Sequence, residues 1–129
     1  MCSGDLRHLV SQTPDEVADW SRVRFGSLFY WSDGLIKADI IKKVPRLNTY
    51  MFYNMFYYCT KLQEAPALHW MELADHCYEG MFAVCATLKS CPTLPAKILK
   101  TGCYDSMFGS CSSITSTPEL PAETLASKC

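Results

Sequence analysis

The chain has 129 residues, is 49% hydrophobic, and sets 12 Lys and Arg against 13 Asp and Glu for a net charge of −1. That is enough apolar sequence for one continuous core. The basic residues form no stripe, which argues against duplex nucleic acid as a partner, and no apolar run approaches the roughly 20 residues of a transmembrane segment.

Residues 1–9 carry no repeat signature and read as an N-terminal cap or loose end. They lack the charged start and apolar stretch of a secretion signal. Met1-Cys2-Ser3-Gly4-Asp5 would suit a mature lipoprotein whose signal had been replaced by an initiator Met, but the upstream recognition residues are absent. Val10-Ser11-Gln12-Thr13-Pro14-Asp15 is a weak copy of Ile114-Thr115-Ser116-Thr117-Pro118-Glu119, and the repeat domain is therefore drawn over 10–129.

From residue 25 the repetition is plain. Residues 25–35 match 52–62 at an offset of 27, and the extra residue is placed in the stretch 37–43. MFYNMFYYC at 51–59, CYEGMFAVC at 77–85 and CYDSMFGSC at 103–111 then follow at a period of 26. Leu62, Leu88 and Ile114 recur after the cysteine, followed by Pro66, Pro92 and Pro118, by Leu68, Leu94 and Leu120, and by Leu73, Leu99 and Leu125. Units of this length that share fixed apolar positions are stable only when stacked on one another.

The spacing predicts an α/β fold, a leucine-rich-repeat-like solenoid of about four 26-residue coils, each a short strand plus a short helix. Residues 88–94 and their copies are short, contain a Pro and sit between turn formers, so they read as the strand. Leu99, Cys103 and Met107, four apart, fall within about 80° of one helical face, which places the helix. The strand positions would stack about 4.8 Å apart.

The phrase Met-Phe-x-x-Cys-x-x-Leu-x-x-x-Pro-x-Leu-Pro-Ala resembles the leucine-rich repeats of BspA-type bacterial surface proteins, in the variant rich in Cys-Tyr-x-x-Met-Phe. The resemblance covers 25–129 and is most specific in the last two copies. Leu68-His69-Trp70 departs from the Leu-Pro-Ala of Leu94-Pro95-Ala96 and Leu120-Pro121-Ala122, and Met51 stands where later copies have Cys. The resemblance implies a non-enzymatic protein-binding or adhesion module of a bacterial or phage surface protein, at the cell surface or secreted, with no cofactor and no catalytic residue to carry over. Its partner would be a protein or a glycan.

Eight cysteines invite a disulfide, zinc or thiol-enzyme reading. Six fall in two repeat columns, Cys59, Cys85 and Cys111, and Cys77, Cys103 and Cys129, where Ser32 and Met51 are the equivalents in earlier copies. A column that accepts Ser and Met is a packing column, and buried Cys packs as a small hydrophobe. No Cys-x-x-Cys announces zinc. His76 precedes Cys77, yet adjacent residues on a helix diverge by about 100°, so His76 is expected to be exposed and no thiol-imidazole pair is expected.

The candidate binding face is made of the variable residues of the strand segments, Gln63, Glu64, Ala67, Lys89, Ser90, Thr93, Thr115, Ser116 and Glu119, with Tyr57 and Tyr58 as further contacts. Two rivals remain: a structural spacer within a longer array, and a small thiol or metal-dependent enzyme. Leu120, Leu125 and Cys129 belong to core columns with no polar cap after them, so the array is expected to be truncated there and self-association through an open C-terminal coil is a further expected partnership.

Overall fold

The computed structural model describes residues 2–3, 23–39, 41 and 44–129. The sequence readings for residue 1, residues 4–9 and the weak copy at 10–15 lie outside the described residues.

Every fourth residue of the Met-Phe phrase is left-handed: Tyr50, Asn54 and Tyr58, then His76, Gly80 and Val84, then Gly102, Ser106 and Ser110, with φ between 50° and 62°. An α-helix cannot carry such residues, because each puts Cβ against the following carbonyl oxygen. The phrase instead winds as a ladder of four-residue turns. In the second ladder the amides of Met51, Tyr53, Met55, Tyr57 and Cys59 donate three residues back within the layer, at 3.0 to 3.3 Å. The intervening amides of Tyr50, Phe52, Asn54, Phe56 and Tyr58 donate to Asp75, Cys77, Glu79, Met81 and Ala83 of the next layer, at 2.9 to 3.1 Å. The third ladder repeats the pattern onto the fourth, from His76 to Thr101 through Val84 to Gly109. Alternate amides thus serve the turn and the stack, which satisfies a buried backbone without helix or sheet.

Two consecutive side chains in each turn point inward. Met51, Phe52, Met55, Phe56, Cys77, Tyr78, Met81 and Phe82 are all buried. Their rings stack across layers, with Phe29, Phe56, Phe82 and Phe108 successively 5.6, 5.5 and 5.8 Å apart and nearly parallel. Phe25, Phe52, Tyr78 and Tyr104 form a second column at 6.2, 6.1 and 6.0 Å. Leu62 and Leu88 are buried beside them, with Ile114 partly buried.

The expected strand does not form in each coil. Strands β1 (Cys2–Ser3) and β2 (Ala38–Asp39) pair in parallel, Cys2 with Ala38 and Ser3 with Asp39. Elsewhere among the described residues pairing shrinks to single bridges, Lys37 with Glu64, Glu72 with Ile98 and Ile98 with Thr124. Pro66, Pro92, Pro95, Pro118 and Pro121 supply no amide donor, so these segments cannot extend a ladder.

The expectation of an α/β solenoid with a strand and a helix per coil is therefore corrected. Among the described residues there is no helix, and the only strands are the two-residue β1 and β2. The 26-residue columns stack nonetheless, through turns. Equivalence runs at 27 residues up to Lys37 with Glu64 and at 26 from Asn48, whose carbonyl accepts from Met51 as that of Ala74 does from Cys77. The extra residue lies between those points, a stretch in which 40, 42 and 43 are outside the described residues.

Candidate functional site

The core columns leave the residues between them outside. Gln63, Glu64, Ala67, Lys89, Ser90, Thr93, Thr115, Ser116 and Glu119 are all exposed, on the proline-bearing half of their layers. The Gln63 amide donates to Ile36 and that of Lys89 to Gln63, so these positions are tied from layer to layer. Glu64 pairs with Lys37 of the layer before. Thr93 and Glu119 line a shallow hollow of about 370 Å³ between the third and fourth layers, and Thr115 and Ser116 line a neighbouring one of about 350 Å³. Cys91 sits at both, its thiol 3.8 Å from the Ser116 carbonyl.

Tyr57 and Tyr58 belong to the other half, on the turn ladder, and are half-buried. Each backs an aromatic of the first layer. Tyr30 stacks on Tyr57 at 5.1 Å with planes 3° apart, and Trp31 on Tyr58 at 4.1 Å. The outer residues of both pairs are exposed, Tyr30 at 46% and Trp31 at 60%. Sequence reasoning missed this pair, since aromatics in a repeat read as core. The available signal was the rest of the two columns, where Ala83 and Gly109, and Val84 and Ser110, occupy the same turn positions.

The cysteine columns have a definite job. Cys59 donates its thiol hydrogen to the Phe29 carbonyl, Cys85 to Phe56 and Cys111 to Phe82, at 3.1, 3.2 and 3.1 Å. Each bond reaches back one layer to a carbonyl that also accepts an amide, and a Ser hydroxyl, as at Ser32, has the same capability. In the second column Cys77 and Cys103 are buried. Burial pushes the Cys77 thiol up to about 12 and that of Cys85 further in the same direction. A thiol held protonated is a poor nucleophile and a poor metal ligand. Among the described residues no three His, Cys, Asp or Glu side chains converge as a metal-binding group.

His76 is partly buried, not exposed as expected, because the left-handed backbone turns it along the stack. Its ring lies on Tyr50 at 4.7 Å, and its Nδ1 is 2.6 Å from Glu79 Oε2. The imidazole is therefore engaged by Tyr50 and Glu79.

Comparison of the chain with protein-family models, with curated proteins and with solved structures returned no match. Among the described residues no helix is long and apolar enough to cross a membrane.

Proposed function

We propose that the chain is a non-enzymatic binding or adhesion module of a bacterial or phage surface protein, taking a protein or glycan ligand on an outer face. The observation that carries this reading is the separation of constant from variable columns. Leu35, Leu62, Leu88 and Ile114 stay apolar in every layer, while the exposed neighbours Gln63, Lys89 and Thr115, or Glu64, Ser90 and Ser116, change chemistry each time. Stacked repeats with a fixed core and a free surface can alter their contacts without altering their fold. The resemblance to BspA-type repeats supports the surface location.

The test is retention of the chain on immobilised mucin, extracellular-matrix protein and bacterial cells, beside a triple variant Glu64→Ala, Lys89→Ala, Glu119→Ala. Retention lost in the variant is the expected result. Unchanged retention moves the contact off this face, and no retention on any surface favours the spacer.

Self-association belongs to the same proposal. Leu125 is 72% exposed, and Leu120 lies beside it over a hollow of about 360 Å³ floored by Leu94, Leu99 and Phe108. Sedimentation that stays monomeric across a wide concentration range would remove it.

A further inference from the structure

Trp31 and Tyr30 are consecutive residues whose rings each lie against a ring of the second layer, so both have one face closed and one open. The backing rings fix their planes across the stacking direction. Because each ring lies nearly parallel to the ring behind it, the faces turned from the second layer look off the first.

The fold does not need aromatics here. The later layers build the same turn with Ala83 and Gly109 in the Tyr30 column, and with Val84 and Ser110 in the Trp31 column. Trp31 and Tyr58 moreover sit at φ 58° and 62°, where a bulky residue is strained. A large, exposed, strained indole in a position that Ser fills elsewhere in the same chain points to a ligand.

We propose that Tyr30 and Trp31 form a carbohydrate-binding platform for the apolar C–H face of a pyranose ring. This rests on the reading of the chain as a binding module and names its ligand class and location. Two ring faces offer roughly 200 Å², about a quarter of what a stable protein interface takes from each partner. A single sugar ring matches that size. Among the described residues 23–35 the only charges are Arg24 and Asp33, too few cations for the phosphate backbone of a nucleic acid. The sugar's hydroxyl rim would meet the phenol groups of Tyr30, Tyr57 and Tyr58, each able to donate and accept.

The test is saturation-transfer NMR on the full chain with methyl β-glucopyranoside, methyl β-galactopyranoside and short β-linked oligosaccharides. Transfer to ring hydrogens on one sugar face is expected. The variants Trp31→Ser and Tyr30→Ala install residues the chain already uses at these positions, so each should still fold cooperatively, its unfolding midpoint lowered by no more than the lost ring stacking. Each should weaken sugar binding at least about tenfold. Binding that survives both substitutions overturns the platform. Failure of every sugar, with retention on a protein surface lost in the Glu64, Lys89 and Glu119 variant, overturns the platform and leaves the binding module standing.

Discussion

The Tyr78 hydroxyl is buried with no hydrogen-bond partner among the described residues, and burial drives its pKa well upward. The same ring column holds Phe25 and Phe52 in the layers before it. Tyr78→Phe removes an unsatisfied polar group and keeps the ring, and should raise stability by about 1 kcal/mol. The check is a higher urea midpoint at unchanged slope; a lower midpoint would mean that the hydroxyl is satisfied after all. The buried thiols give a pH dependence of definite sign. Folded Cys77 holds its proton up to about 12 against an ordinary 9.0, so its contribution is full below about 9 and is lost as pH rises through about 12. Cys85, Tyr78 and Tyr104 shift the same way. Urea unfolding under reducing conditions should show stability falling steadily above about pH 9, and a flat profile to pH 11 would refute this.

The turn ladder shows both how far the sequence could be read and where it misled. Columns were legible because every layer buries the same positions, Phe56 over Phe82 and Leu62 beside Leu88. The helix was misread because a four-residue turn returns an apolar residue to the core every fourth position, as one face of a helix does. What separates the two is the left-handed residue, whose sequence mark is Gly, Asn or Ser. Gly102, Ser106 and Ser110 carry that mark, whereas His76, Val84 and Trp31 hide it. The exposed face was readable as the complement of the core; the Tyr30 and Trp31 platform was not, because position in the turn, not ring chemistry, decides which aromatics point outward. Two substitutions test the turn itself. Val84 is β-branched at φ 62°, so Val84→Gly should raise stability by about 1 kcal/mol. At Gly102 an added Cβ would fall 2.3 Å from His76 Nδ1 at a φ of +59°, so Gly102→Ala should lower the thermal midpoint. A helix would reverse both signs, because there Gly is the poorer residue at either position.

At the scale of the molecule, stability comes from layers that each cover the one before. Phe82 lies between Phe56 and Phe108 and is fully buried, so Phe82→Ala should cost about 3 to 5 kcal/mol. The same stacking has a direction. Each ladder gives its alternate amides to the carbonyls of the next, so the fourth ladder receives bonds from Tyr78, Gly80, Phe82 and Val84. Its own Tyr104, Ser106, Phe108 and Ser110 amides find no acceptor among the described residues, while Cys103, Asp105, Met107, Gly109 and Cys111 close turns within the layer. Amide exchange should therefore be slow at every position from 76 to 85, and should alternate from 103 to 111, fast at the four even residues and slower at the odd ones. An α-helix would protect both sets alike. Uniform slow exchange in the fourth ladder that turns alternating on dilution would show a second copy closing that face, and uniform protection at every dilution would refute the alternating bond pattern.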